Sequence, residues 1–263
     1  MSVLYEPLGD GRFRPAEATR GPWDPAAQHG GAPAALLGGL IERAEPGAGM
    51  RVVRTTVELV RPVPVAAELR AEVEIERPGK RVQLVAARLF DGDRLVVRAL
   101  ALRLRRDASG AVAAMGEGAT PPAGPDGARE AIFPYDESGE PMFNTHGVEV
   151  RYARGDWERG PAFAWIALRD EVVAGEAPSG LQRALAAADF GNGVSSLLDW
   201  NEFAFINPDL TVYLEREPVG RWIGLDARTR IGDDGTAVAE SVLFDERGRV
   251  GRAVQALIVQ PLA

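Results

Sequence analysis

Polar side chains within apolar segments are the first candidates for chemistry in this sequence of 263 residues. Gln255 is flanked by Val254 and Ala256 in the apolar segment near the end of the chain. A buried amide must find hydrogen-bond partners, so this residue is a candidate for a functional network. Asp189 ends a helical pattern, and Asn207 precedes a proline. A carboxylate can orient or deprotonate a water molecule, and an amide can hold one in place.

Each of these residues also has a structural interpretation. Asp189 could cap a helix, Asn207 could form a turn, and Gln255 could face solvent on an edge strand. His29 precedes two glycines at the start of another helical pattern. It could act as a base or cap the helix, and we favour a structural or substrate-lining role for it.

The residue types that are missing narrow the chemistry. The sequence has no cysteine, which excludes disulfides, thiolate nucleophiles and cysteine-ligated metals. With only His29 and His146, a histidine-rich zinc site is not expected, and we expect no metal or cofactor. No serine lies in a G-x-S-x-G motif. For a hydrolytic reaction, a water molecule activated by a carboxylate is therefore the simplest route.

The elements that would position these residues follow from hydrophobic periodicity. The segment Ala32–Ala44 has helical spacing without a polar face, which predicts a buried helix. Its glycines, Gly38 and Gly39, are expected to allow close approach by a sheet. Near the start of the chain we expect at most one strand, around Gly11–Pro15. Four further strands are predicted in the first half: Arg51–Arg61, Ala67–Arg77, Arg81–Phe90 and Leu95–Arg105.

The second half repeats this arrangement. Strands are predicted at Val148–Tyr152 and Ala162–Leu168, then a helix up to Asp189, an interruption at Phe190–Gly193 and a helical continuation over Val194–Asp199. The last segments, Ile223–Ile231, Ala237–Phe244 and Arg249–Val259, predict a three-stranded meander.

An internal repeat relates the two halves. The segment Thr56–Arg61 resembles Thr211–Arg216 at an offset of 155 positions (211 minus 56), and Phe90–Arg94 resembles Phe244–Gly248 at 154 (244 minus 90). Two copies at nearly one offset indicate a duplicated unit of about one domain. We predict a first unit at 1–106, a linker at 107–130 that is rich in Gly, Ala and Pro, and a second unit at 131–263.

The overall composition limits the partners and the location. A net charge of −8 argues against a nucleic-acid-binding protein, which would carry a basic surface. No apolar run reaches the ~20 residues of a membrane span, and the N-terminal residues lack the pattern of a signal peptide. We therefore expect a cytoplasmic protein that neither spans a membrane nor binds nucleic acid.

Four short motifs follow one another along the chain: His29-Gly30-Gly31, Ala188-Asp189-Phe190, Asn207–Tyr213 and Val254-Gln255. In these motifs, and over nearly its whole length, the chain resembles the acyl-CoA thioesterase II family and its thioesterase-superfamily relatives. The resemblance implies an α+β fold, the double hot-dog, in which two fused units each wrap an antiparallel sheet around a central helix. It also implies hydrolysis of the thioester of a fatty acyl-CoA, without metal or cofactor.

The resemblance also implies roles for individual residues. In that family an Asp near the helix of the second half, a Thr or similar small polar residue at the start of the following strand, and a Gln in the last strand orient a water molecule. The matching positions here are Asp189, Asn207 and Gln255. Asn207 departs from the family's Thr, but an amide can still donate and accept hydrogen bonds. Thr211 is the alternative for this position.

Substrate contacts are expected from glycine-rich segments and from the first half. Backbone N–H groups near Gly191 and Gly193 could bind the thioester carbonyl oxygen. His29, Gly30 and Gly31 are expected to line the substrate channel. Candidate contacts for the phosphates of coenzyme A are Arg61, Arg216 and Arg252.

The repeat predicts a single active site in each chain. Under the repeat offsets Gln255 corresponds to Ala101 and Asn207 to Val52, and an alignment of helical segments matches Asp189 with Gln28. The polar set therefore occurs only in the second half.

Two other functions stay open. A hot-dog hydratase or dehydratase would need His29 close to Asp189, and a non-catalytic acyl-CoA-binding protein would keep the pocket without turnover. A homo-oligomer is also possible, because exposed sheet edges can pair.

Overall fold

The computed structural model describes residues 3–106, 120–121, 123–131, 139–156 and 160–262. Within these ranges the chain forms three α-helices and fifteen β-strands. The helices are α1 (Gly31–Arg43), α2 (Gly180–Ala188) and α3 (Gly191–Val194). The strands are β1 (Val3–Gly9), β2 (Arg12–Pro15), β3 (Met50–Leu59), β4 (Leu69–Arg77), β5 (Val82–Asp91), β6 (Arg94–Arg105), β7 (Arg129–Glu130), β8 (Val148–Arg154), β9 (Ala162–Leu168), β10 (Glu171–Val173), β11 (Phe203–Ile206), β12 (Asp209–Leu214), β13 (Ile223–Ile231), β14 (Thr236–Asp245) and β15 (Gly248–Pro261).

All strands belong to one sheet that runs through both halves. The order is β10-β1-β2-β4-β5-β6-β3-β12-β15-β14-β13-β9-β8-β7, with β11 beside β15. Neighbouring strands are antiparallel except β1 and β10, which are parallel. The inner face of the sheet packs around α1 and α2 in a common core. The α+β double hot-dog that the sequence predicts is confirmed.

The two halves meet at β3 and β12, and their register reveals the duplication. Thr56 and Thr211, which are equivalent under the offset of 155, pair directly with each other, and their hydroxyl oxygens are 3.2 Å apart. The pairing is antiparallel, so the residue before Thr56 pairs with the residue after Thr211, and the residue after Thr56 pairs with the residue before Thr211. A pseudo-twofold axis therefore passes between Thr56 and Thr211, as expected for two copies of one unit.

The central helix of the first half is buried on nearly all sides, as its lack of a polar face predicts. The expectation that Gly38 and Gly39 face a sheet is wrong, because both face α2. A Cβ on Gly39 would lie 2.5 Å from Gln182 Nε2, and a Cβ on Gly31 would lie 2.7 Å from the carbonyl oxygen of Ala186. The two helices therefore run antiparallel and very close together, so that the start of α1 meets the end of α2.

Two further sequence predictions are wrong. The first residues form two strands, β1 and β2, where at most one was expected. The helix predicted over Val194–Asp199 does not continue beyond Val194, and the residues from Gly191 to Gly193, predicted as part of an interruption, are helical. Two serines explain the early end. Ser195 Oγ donates to the Gly191 carbonyl, while Ser196 Oγ bonds with the backbone of Leu198, so the side chains compete with helical hydrogen bonds.

Most of the predicted linker at 107–130 lies outside the described residues, which omit 107–119 and 122. The boundaries of the two units stay a prediction. None of the described helices has both the length and the apolar character that a bilayer-crossing helix needs.

Candidate active site

Asp189 occupies the junction between the two central helices. It follows the last residue of α2 and faces the first turn of α1, and its side chain is only 3% exposed. A Cβ on Gly30 would lie 2.8 Å from Asp189 Oδ2, so the carboxylate contacts the α1 backbone directly. The N-terminus of a helix carries partial positive charge, which stabilises an anion at this place.

Three side chains and one backbone group hold the Asp189 carboxylate. Asn207 Nδ2 donates to Oδ1 at 2.8 Å, and Gln255 Nε2 donates to the same oxygen at 3.2 Å. His29 Nδ1 lies 2.9 Å from Oδ2, and the Gly31 N–H also donates to the carboxylate. The three residues that the resemblance groups together thus lie together here, and His29 from the first half joins them.

The hydrogen bonds fix the tautomer of His29. Nδ1 lies near Asp189 Oδ2 and also 3.1 Å from the Gly31 nitrogen. An unprotonated Nδ1 would put two acceptors in contact, so we assign the proton to Nδ1, which donates to Asp189. The Gly31 N–H then serves the carboxylate, and Nε2 is left as the acceptor of the neutral ring.

Burial alone would raise the pKa of Asp189. The positive charge that His29 carries when protonated, together with hydrogen bonds from His29, Asn207 and Gly31, outweighs burial and lowers this pKa below its usual value. Asp189 is therefore a buried carboxylate that stays ionised.

Gln255 supports this carboxylate from the sheet. It is 1% exposed on the inner face of β15, between β12 and β14, and therefore does not face solvent. Its Nε2 also donates to the Asp189 carbonyl at 3.2 Å, and its Oε1 accepts the Asn192 N–H at 3.3 Å. Thr211, the alternative to Asn207, instead bonds with Thr56 at the pseudo-twofold axis.

The four candidate glycines divide into two pairs. Gly30 and Gly193 line a cavity beside Asp189, whereas Gly31 and Gly191 permit close packing. A Cβ on Gly191 would lie 2.8 Å from Gln255 Oε1. The Gly193 N–H donates to the side chain of Asn192, and the Asn192 N–H donates to Gln255, so both N–H groups are engaged within the protein.

The cavity measures about 290 Å³ and lies between the two halves. Its wall includes two tryptophans, Trp23 and Trp200, which stack with ring centroids 4.8 Å apart and contact Phe205 edge-on. Nothing in the local pattern of either residue indicates that loops from the two halves bring them together.

The candidate phosphate-binding arginines lie in different places. Arg61 lines the cavity and is exposed. Arg216 is held by Asp245, with Nη2 at 2.6 Å from Oδ1, and Arg252 lies on an exposed face of β15. Of the three, Arg61 alone is near Asp189.

A smaller cavity of about 160 Å³ occupies the pseudo-twofold counterpart of this site. Val52, which is equivalent to Asn207, lines it, and Glu42 near the end of α1 bonds there with Ser179 at the start of α2. The proposed equivalence of Asp189 and Gln28 is wrong, because Gln28 precedes α1 and lines the Asp189 cavity itself.

Aligning the starts of α1 and α2 gives a helix offset of 149 (180 minus 31), which matches Asp189 with Leu40. The counterpart of Gln255 remains Ala101. The set of Asp, Asn and Gln is therefore absent from the counterpart positions, as the sequence predicts.

Solved structures with this architecture share its fold across nearly the whole chain. A protein of Thermobifida fusca assigned as a thioesterase II is 20% identical, with a TM-score of 0.74 over 97% of this chain and 95% of its own. A protein of Novosphingobium aromaticivorans assigned as a thioesterase is 21% identical, with a TM-score of 0.73 over 97% and 98%. The acyl-CoA thioesterase II of Mycobacterium marinum is 14% identical, with a TM-score of 0.65 over 98% and 95%.

At these identities the likeness concerns the fold alone, and a comparison with curated protein sequences gives no match. Family membership comes from the sequence itself. The profile of the acyl-CoA thioesterase N-terminal domain matches residues 19–104, and that of the C-terminal domain matches residues 118–259. The chain therefore belongs to the acyl-CoA thioesterase family and is a thioesterase.

Proposed function

We propose that this protein hydrolyses the thioester of a fatty acyl-CoA in the cavity beside Asp189, with the attacking water oriented by Asp189, Asn207 and Gln255. The observation that carries the proposal is the environment of the carboxylate. Asp189 is buried, ionised and held by three side chains at the wall of a cavity that is lined largely by apolar groups. Family membership supports an acyl-CoA substrate.

The three residues divide the work between them. Asp189 and Asn207 line the cavity and can contact a water or the substrate, so these two are the candidate catalytic residues. Gln255 acts through Asp189 and through the Asn192 backbone, so it is a positioning residue. The first turn of α1 adds a positive field where negative charge develops on the carbonyl oxygen. Trp23, Trp200 and other apolar wall residues offer a surface to the acyl chain.

The direct test is release of free thiol from acyl-CoA esters of increasing chain length. Replacing Asp189 by Asn keeps the shape and removes the charge, so we expect kcat/KM to fall by at least about 10²-fold. Glu42→Gln is the matched control, because Glu42 is the acid of the counterpart cavity and does not contact the site. It should keep wild-type turnover. Unchanged hydrolysis by Asp189→Asn would refute the proposed site.

A second candidate function is favoured by one contact. Hydration or dehydration of an acyl-CoA would need His29 beside Asp189, and these residues lie 2.9 Å apart. However, the two side chains are hydrogen-bonded to each other, so together they would transfer protons at one position. A dehydratase instead uses an acid and a base that act at separate positions on the substrate. Loss of the ultraviolet absorbance of a 2-enoyl-CoA, without thiol release, would support the hydratase.

A thermal shift by acyl-CoA esters without turnover of any kind would instead indicate a protein that binds acyl-CoA without catalysis. The cytoplasmic location, the lack of nucleic-acid binding and the homo-oligomer stay predictions from the sequence.

A further inference from the structure

Hydrolysis by water needs a group that accepts the proton of the attacking molecule, and Asp189 is poorly suited to this step. Its Oδ1 already accepts hydrogen bonds from Asn207 and Gln255, and its Oδ2 is in contact with His29 Nδ1, so neither oxygen is free to take a proton from water. A residue that touches Asp189 and retains a free acceptor would complete the site.

His29 has this geometry. Its Nδ1 is occupied by Asp189 Oδ2 at 2.9 Å, and the ring lines the cavity. Within the described part of the chain no protein group hydrogen-bonds with Nε2, and the side chain keeps 10% exposure. Phe190 and Phe143 contact the ring, with centroids 4.5 Å and 5.0 Å from that of the imidazole. The orientation of the ring is therefore fixed by packing on its faces and by the carboxylate at Nδ1.

We propose that His29 is the general base of this thioesterase: Nε2 takes the proton of the attacking water, while Asp189 holds the ring through Nδ1. This inference rests on the function proposed above and changes how Asp189 acts in it. The carboxylate orients the water through the imidazole and stabilises the imidazolium, and it does not itself become protonated. The arrangement corresponds to the histidine and aspartate of a serine-hydrolase triad, with water in place of the serine.

The proton and electron balance is simple. The water oxygen forms a bond to the acyl carbon, and its proton moves to Nε2 as the carbonyl oxygen gains negative charge. The tetrahedral intermediate then collapses, and the carbon–sulfur bond breaks. The leaving thiolate of coenzyme A takes the proton from Nε2. A carboxylic acid and a free thiol result from one thioester and one water, and His29 returns to its starting state.

Among the described residues, Asp189 is the titratable side chain in contact with His29. The other elements packed on the ring present Phe143, Phe190 and the backbone of α1. Asp24 and Arg61 line the same cavity without an ion pair to the imidazole. The acid limb of the activity profile is thus expected to follow the His29–Asp189 pair.

His29→Asn separates the two roles of the histidine. The Asn amide nitrogen can replace Nδ1 and still donate to Asp189, but nothing replaces Nε2. We expect kcat to fall by about 10²- to 10⁴-fold, with the unfolding temperature and the binding of a non-hydrolysable thioether analogue retained. Added imidazole should partly restore turnover to His29→Gly. If His29 only holds Asp189, His29→Asn keeps activity within about threefold, and the proposal is overturned.

The pH profile of the wild type gives an independent measurement. An imidazole base loses activity as it protonates, so kcat/KM should decline at a higher pH than it would in a site whose base is a carboxylate. If Asp189 accepted the proton, kcat/KM would stay level to a lower pH, where carboxylates protonate. A level profile therefore also overturns the proposal.

The outcomes distinguish this proposal from the proposed function. Loss of activity in Asp189→Asn but not in His29→Asn refutes the base and leaves the site in place. A wild type that hydrolyses no acyl-CoA ester refutes the proposed function, and the base with it.

Discussion

A single carboxylate in this protein is surrounded by groups from both halves of the chain. Asp189 and its partners Asn207 and Gln255 come from the second half, whereas His29 and the α1 backbone come from the first. The sequence could identify the first three as polar residues in apolar surroundings. It could not join His29 to them, because that contact depends on how closely the two helices pack. The catalytic assignment of His29 is thus an inference that needed the fold.

Asn207 is the position at which this chain departs from the Thr of the family that it resembles. Its Nδ2 donates to Asp189 Oδ1 at 2.8 Å and to the Asp209 carbonyl at 3.2 Å. A hydrogen bond to a charged group contributes about 1.5–3 kcal/mol, so Asn207→Ala should lower kcat/KM by about 10- to 100-fold.

Asn207→Thr is the matched variant, because a hydroxyl can still donate to Asp189. We expect it to retain more activity than Asn207→Ala in steady-state thiol release. Equal and unchanged activity in both variants would mean that the Asn207 side chain does not support the carboxylate.

Hydrophobic periodicity predicts the strands reliably where a segment has one buried face. The strands from β3 to β6 and from β13 to β15 lie close to their predicted bounds. The end of α3 was predicted wrongly because Ser195 and Ser196 turn the chain through side-chain bonds that an apolar pattern does not reveal. The prediction that a sheet packs on Gly38 and Gly39 is also wrong, because a pattern of small residues does not show which element approaches them.

The contact between α1 and α2 gives a prediction for Gly31. A Cβ there would lie 2.7 Å from the Ala186 carbonyl oxygen, and a backbone atom cannot move aside as the end of a side chain can. Gly31→Ala should therefore force α1 away from α2 and cost about 1–3 kcal/mol of unfolding free energy. Because the Gly31 N–H also serves Asp189, kcat should fall as well.

Gly124→Ala is the control for this experiment. Gly124 has a φ of −68°, and a Cβ there would meet no atom within 4 Å. Urea unfolding should give wild-type stability for Gly124→Ala and a lower midpoint for Gly31→Ala. A Gly31→Ala protein as stable as the control would show that the helices can separate without cost.

The two related halves of the molecule serve different purposes. The pairing of Thr56 with Thr211 preserves the pseudo-twofold axis, but the cavities on its two sides differ. On the counterpart side, Arg103 is buried and donates to the Ala44 carbonyl at 2.8 Å and to the Ile41 carbonyl. Its guanidinium thus satisfies the C-terminal end of α1. The repeat in the sequence predicts this asymmetry, because Val52 and Ala101 stand at the counterpart positions of Asn207 and Gln255. It does not predict that Arg103 hydrogen-bonds with the end of α1.

This asymmetry predicts one substrate for each chain. Titration calorimetry with a non-hydrolysable acyl-CoA thioether should give a stoichiometry of one, because the counterpart cavity is smaller and holds charged groups in place of apolar walls. Gly193→Leu should weaken this binding at least about tenfold. Gly193 lines the Asp189 cavity, and a Cβ there lies 3.7 Å from Trp200, so the larger side chain fills space that the substrate needs. Glu42→Gln should bind as the wild type does. A stoichiometry of two, or binding that weakens in Glu42→Gln and not in Gly193→Leu, would assign substrate to the counterpart cavity instead.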